Sequence, residues 1–289
     1  MTRKSHNLFL LLGFSLLLTV CNPLHAQEES PPPATSPTYV LRESELNSKT
    51  FAIKYDLDVN GQVEERIPNN ETRKFEIKSD AHLKYSDRHL PSAGRNEAAL
   101  RSVRYFDQHQ TNVTIGERKS ELLLPKQDRL FVVEGRNYEL IYYPPSVLLS
   151  AQVLEQLRIP FDSLASLGLL PQTAVKQGDT WKPDTWALQL LTGVEAVLKY
   201  ECVCTLSKVD GNVAFVTFEG NVSGGRYGGS TVVKFRGQYE FDLDKKYLRD
   251  LVVTQNEQSS ISPVSPGLDV AANIHFTRTP QSSHPQLTE

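Results

Sequence analysis

The sequence predicts a mostly β protein: a large curved antiparallel sheet or half-barrel, built as a meander, with a short helical insert near residues 146–169. Three observations carry this. Apolar and polar residues alternate over most of the chain, the period-2 pattern of strands with one buried face. Short turns containing Gly, Asn, Asp or Pro separate the alternating runs, so consecutive strands pair antiparallel. Only around residues 146–169 does the apolar spacing change to three and four, the spacing of a helix.

The chain opens as a targeting segment. Arg3 and Lys4 give a basic start, Leu8–Val20 is apolar but short for a membrane span, and Ala26 is a small residue before a cleavage point. Residues 1–26 are therefore expected to be a signal peptide. An alternative uses Leu18-Thr19-Val20-Cys21, which looks like a bacterial lipoprotein signal with Cys21 as the lipid anchor. Both place the mature chain in the periplasm or outside the cell. Residues 27–39, rich in Pro and Ser, read as an extended linker. A single β-rich domain is expected over 40–280, in halves 40–143 and 172–280 about the insert, followed by a disordered tail over 281–289.

Phe51–Val59 alternates, and Asn60-Gly61 reads as a hairpin turn. Asp56, Asp58, Asn60 and Gly61 also match the opening of a calcium loop. The closing position holds Ile67 where a bidentate Glu is required, so a metal-free hairpin is expected. Arg73–Tyr85 follows, with Phe75, Ile77 and Ser79 on one face. Leu100–Ile115 has Val103, Tyr105 and Asp107 on one face. Short strands follow at Glu121–Pro125, Leu130–Glu134 and Tyr138–Tyr143.

After Pro144-Pro145, Val147, Leu148, Ala151, Leu154 and Leu157 recur at helical spacing, and Phe161–Leu169 adds a helical turn or two. Trp181 reads as a large structural anchor entering the second half. Asp184–Leu191, where Trp186, Leu188 and Leu190 alternate, reads as a strand. Ala196–Phe276 then holds five strands in succession, turning at Asp210-Gly211, Ser223–Gly229, Asp244-Lys245-Lys246 and a Ser/Pro-rich loop. Cys202 and Cys204 share one face of one strand. Their Cα atoms would sit ~6.6 Å apart with side-by-side Cβ vectors, so two free buried thiols are expected.

The stretch Leu154–Phe276 carries a likeness. A leucine-rich helical segment, Pro171, the pattern Val175-x-x-Gly178-Asp179-x-Trp181, and a strand bearing Gly237, Tyr239, Phe241 and Asp242 resemble uncharacterised exported bacterial proteins. Those have large curved sheets, and some look like lipoprotein-carrier half-barrels. The resemblance implies a fold type and a compartment. It implies no reaction.

Composition bounds the function. A chain of 289 residues with 39% hydrophobic and 22% charged content can bury a core. A net charge of -3 without a basic stripe argues against nucleic acid. No nucleophile elbow, zinc-helix, phosphate-loop or dinucleotide pattern is present. The glycines around Arg226 precede strand residues rather than a helix, so they read as a hairpin tip and not a phosphate cradle. His82, His89, His109, His275 and His284 lack metal-ligand spacing, and neither metal nor cofactor is expected.

The abundant aromatics on long strands point to a non-enzymatic exported protein that binds an apolar ligand or lipid in a sheet concavity. Tyr200, Phe218, Tyr239 and Phe241 are the candidate contacts. The alternative is an envelope structural or protein-interaction module. A hydrolase with a site assembled from distant residues ranks last.

Overall fold

The computed structural model describes residues 37–43, 49–90, 100–136, 139–145, 153, 157 and 159–287. The expected signal peptide, Cys21, most of the linker and the helical stretch 146–156 lie outside the described residues, save Val153. The strands are β1 (Thr38–Tyr39), β2 (Thr50–Arg66), β3 (Thr72–His89), β4 (Arg101–Ile115), β5 (Arg118–Leu123), β6 (Leu130–Arg136), β7 (Glu139–Tyr143), β8 (Val175–Lys176), β9 (Thr180–Trp181), β10 (Ala196–Asp210), β11 (Val213–Arg226), β12 (Gly229–Asp242), β13 (Tyr247–Ser259) and β14 (Gly267–Gln281).

Twelve of them form one antiparallel sheet in the order β7-β6-β4-β3-β2-β14-β13-β12-β11-β10-β9, with β5 beside β4. The sheet is mostly β meander, curved and not closed, as the alternation predicts. Its two sequence halves meet in the middle, where β2 pairs with β14 over Thr50–Glu64. β1 and β8 make a separate two-stranded ribbon. The linker therefore ends earlier than expected: Thr38 and Tyr39 are already paired, and Leu41 is buried.

The inner face of the sheet is apolar, through Phe51, Ile53, Tyr55, Leu83, Phe218, Phe235, Tyr239, Leu251, Ile274 and Phe276. The segment between β7 and β10 packs into it. A 3-10 helix at Ser163–Leu169 contributes Leu164, Ala165 and Leu169, and an α-helix at Thr185–Thr192 contributes Ala187, Leu188 and Leu191. The chain's own insert thus packs against the inner face of the sheet.

Five local expectations change. Asn60-Gly61 is not a turn: β2 runs through it, paired to β14 on one side and β3 on the other. The chain reverses at Ile67–Glu71 instead, around Pro68–Asn70, where Asn69 takes φ 74. Glycine is needed at 61 for closeness, since a Cβ there would lie 2.2 Å from the Asp269 carbonyl oxygen. Asp184–Leu191 is helix, not strand. Its buried residues Ala187, Leu188, Leu191 and Thr192 have helical spacing, and Gly193 at φ 70 caps it with its N–H on the Gln189 oxygen.

The inner face of β4 is Ser102, Arg104 and Phe106, not Val103, Tyr105 and Asp107. A register shift opposite Lys84 and Tyr85 resets the alternation there. The glycine-rich stretch after Val222 stays strand as far as Arg226, and only Tyr227 and Gly228 turn. The tail is ordered through Leu287. Residues Pro285–Leu287 form a 3-10 turn with Leu287 buried, and His284 stacks on Tyr105 at 5.1 Å.

Candidate functional site

Both ends of the open sheet border one cleft. β7 supplies Leu140 and Tyr142; the other end supplies Val194 and Glu195, just before β10, and Arg226 and Tyr227 from the β11–β12 hairpin. The insert forms the floor with Leu157, Ile159, Pro160, Gln189 and Leu190. The cleft holds about 140 Å³. That is well below the ~300–1,000 Å³ of sites that enclose a whole ligand. It is the size of one ring or a short stretch of hydrocarbon.

Local forces shape the floor. Phe161 has φ 60, an unfavourable conformation for a bulky residue. It is held by its N–H on the Leu190 oxygen at 2.7 Å and by its ring against Phe276 at 5.0 Å. The Tyr55 hydroxyl donates to the Pro160 oxygen at 2.5 Å. The rim is polar and already paired. Arg226 donates to both Glu257 oxygens at 3.2 and 3.1 Å, and the Tyr227 N–H donates to Glu195 at 3.1 Å.

Tyr142 connects the cleft to a buried charge cluster. Its hydroxyl donates to Asp162 at 3.3 Å. Arg104 grips Asp162 through both oxygens at 2.5 and 2.6 Å and reaches Ser163 at 2.9 Å. Ser163 in turn donates to Asp87 at 2.5 Å. Burial alone would raise the Asp87 carboxyl, but Arg104, His89 and the hydroxyl of Ser163 hold it below its ordinary value. Burial likewise works against the Arg104 charge, and Asp162 and Asp87 overcome it. Burial raises the Tyr142 phenol well above its usual range, so it remains a hydrogen-bond donor.

A second cluster lies along the same inner face. Arg278 donates to Glu43 at 2.7 Å and sits 3.9 Å from the Phe51 ring centre. Glu43 also accepts the Leu248 N–H at 3.0 Å. Burial lowers the His89 pKa most, against the opposing pull of Asp87, and the Arg278 charge adds to the lowering. Two ion-pair clusters therefore fasten the insert and residue 43 to the sheet.

The four candidate contacts from sequence fall elsewhere. Phe218, Tyr239 and Phe241 are core residues, buried to 3%, 1% and 0% exposure, and Phe218 meets Tyr239 at 6.2 Å. Tyr239 donates to the Leu169 oxygen at 3.2 Å, so it fastens the insert. Tyr200 is exposed on β10. None of the four lines the cleft. Trp181 is half-buried, with its indole N–H on the Leu169 oxygen at 3.0 Å.

Sequence reasoning missed Arg104, Asp87, Asp162, Glu43 and Arg278. A signal existed for two of them. Asp87 follows Leu83 and Tyr85 at period 2, and Arg278 follows Ile274 and Phe276. A charge in phase with the apolar face is a buried charge that needs a partner.

Among the described residues, no group of three or more His, Cys, Asp or Glu could hold a metal ion, and no helix is long and apolar enough to cross a membrane. No protein-family model and no curated protein matches the chain. Among solved structures, it is similar to lipovitellin, in a structure describing lipid–protein interactions, at 12% identity and a TM-score of 0.44. That match covers 82% of this chain and 25% of that one, so this chain spans about a quarter of the lipovitellin length. An outer membrane channel from Pseudomonas putida F1 matches at 8% identity and a TM-score of 0.30, over 87% of this chain and 100% of the channel.

Proposed function

We propose that this is an exported, non-enzymatic β protein that holds part of an apolar or amphipathic ligand, an acyl chain end or a single ring, in the cleft between β7 and the residues leading into β10. The cleft carries the reading: a mostly apolar floor of Leu157, Ile159, Pro160 and Leu190 beneath a polar rim of Glu195 and Arg226. Burying one chain end there would remove apolar surface from water at ~25 cal/mol per Å². The ligand's polar end would stay at the rim. The described buried charges support a binding rather than a catalytic role, because they pair with one another behind the cleft. Export rests on Arg3, Lys4 and the apolar run to Val20.

The test is a fluorescence titration with an anthroyloxy-labelled palmitic acid, alongside native mass spectrometry of the purified protein. Saturable one-to-one binding is expected, lost in Leu190→Trp, which fills the cleft. Absence of saturable binding, or equal binding by Leu190→Trp, would defeat the reading.

A second reading, an envelope interaction module, is favoured by one observation: β10 keeps most of one edge unpaired among the described residues.

A further inference from the structure

We propose that the free edge of β10 pairs antiparallel with the same edge of a second copy of this chain, with the two-fold axis at Tyr200. On one side β10 is paired to β11 along its length. On the other, β9 covers only Cys204 and Thr205. Among the described residues, Ala196–Val203 have no strand on that side. Such an edge is a template for another strand, and its side chains are accessible: Leu198, Tyr200 and Val203 are 85%, 38% and 44% exposed.

The backbone directions fit. Leu206 donates to the Asp179 oxygen at 3.1 Å and accepts from the Gly178 N–H at 2.8 Å, both on the β9 side. In an antiparallel strand every second residue turns both groups to the same side. Cys204 therefore aims N–H and C=O at β9, and Cys202 and Tyr200 aim theirs at the free edge beyond it. Two Tyr200 residues facing across a two-fold axis would exchange both bonds.

The side chains choose the second copy and the register. With the axis at Tyr200, Lys199 of each copy stands opposite Glu201 of the other. These are the non-hydrogen-bonded positions, where opposed side chains come closest. Moving the axis one residue either way sets Lys199 against Lys199 or Glu201 against Glu201, which is destabilising. Within one chain the same two residues make only a loose pair at 3.5 Å, with both side chains more than 60% exposed. The bulge between Val197 and Lys199 ends regular pairing on one side. The interface is therefore short, in the class of weak, concentration-dependent contacts.

The test is sedimentation velocity of the purified protein from about 10 μM to about 1 mM, the range that reports weak association. A reversible monomer–dimer equilibrium is expected. Lys199→Glu and Glu201→Lys should each weaken it about tenfold or more, and the double exchange should restore it. Tyr200→Pro should abolish the dimer with an unchanged melting midpoint, because an edge N–H facing solvent can be given up. A monomer across the whole range would overturn the proposal. So would a dimer indifferent to the single reversals, which would place the contact on another surface, or pairing with other proteins in place of self-association.

Discussion

Arg104 on β4 and Asp162, which caps the 3-10 helix of the insert, form a two-point ion pair, 2.5 and 2.6 Å, with side chains 1% and 4% exposed. The pair does two things at once. Asp162 also accepts the Leu164 N–H at 2.8 Å, so the carboxylate that ties insert to sheet also starts the 3-10 helix. Buried pairs contribute little net stability over well-packed apolar residues, but breaking one is costly. The arrangement fixes where the insert sits.

The two partners should not be equivalent. Arg104→Met leaves Asp162 and Asp87 buried without their cation and should cost ~3–5 kcal/mol. Asp162→Asn leaves Arg104 with Asp87, 3.5 Å from its Nε, and should cost ~1–3 kcal/mol. Urea unfolding of both variants gives the order; equal losses would show that Asp87 does not balance the charge.

Stability should fall with acidification in two stages. The lowered pKa of His89 means that the unfolded chain takes up a proton first. Stability is lost as pH drops below ~6.5 towards the folded-state value. Asp87, also depressed, adds a second loss below ~3.9 as pH falls through its folded-state pKa. His89→Gln should flatten the first stage in urea midpoints measured from pH 7.5 to 4.5. An unaltered slope would assign that stage to another group.

Gly61→Ala should destabilise the centre of the sheet by ~1–3 kcal/mol, the range for overpacking. The added Cβ would meet the Asp269 oxygen at 2.2 Å and the Val270 Cα at 2.6 Å, both backbone atoms that belong to the β2–β14 ladder. A thermal melt with an unchanged midpoint would mean that the two strands separate freely there.

Cys202 and Cys204 are free and buried, and the neighbouring Cys202 thiol together with burial pushes the Cys204 thiol up. Reaction needs the thiolate. Labelling with an aromatic disulfide reagent should be slow in the native protein and fast in denaturant. Fast native labelling would place this part of β10 in frequent local opening.

The sequence by itself determined most of the long strands, because period-2 alternation reports which face is buried; it missed the face of β4, where a register shift breaks the alternation. It determined the free thiols on β10 by the same alternation, and the curved antiparallel sheet through the run of hairpins. Asn60-Gly61 misled because a turn preference is a local energy, whereas pairing on both flanks of β2 is a long-range gain that outweighs it. The helix at Thr185–Thr192 was misread because Trp186, Leu188 and Leu190 satisfy a strand pattern, while Ala187 and Leu191 on the buried face decide for a helix only once the insert is docked. The cleft, and the partners that Asp87 and Arg278 find, were beyond reach. Leu140 and Val194 lie at opposite ends of the sheet order, and Glu43 meets Arg278 across 235 residues. Such neighbours follow from how far the sheet curves and where the insert settles, and no local pattern encodes either.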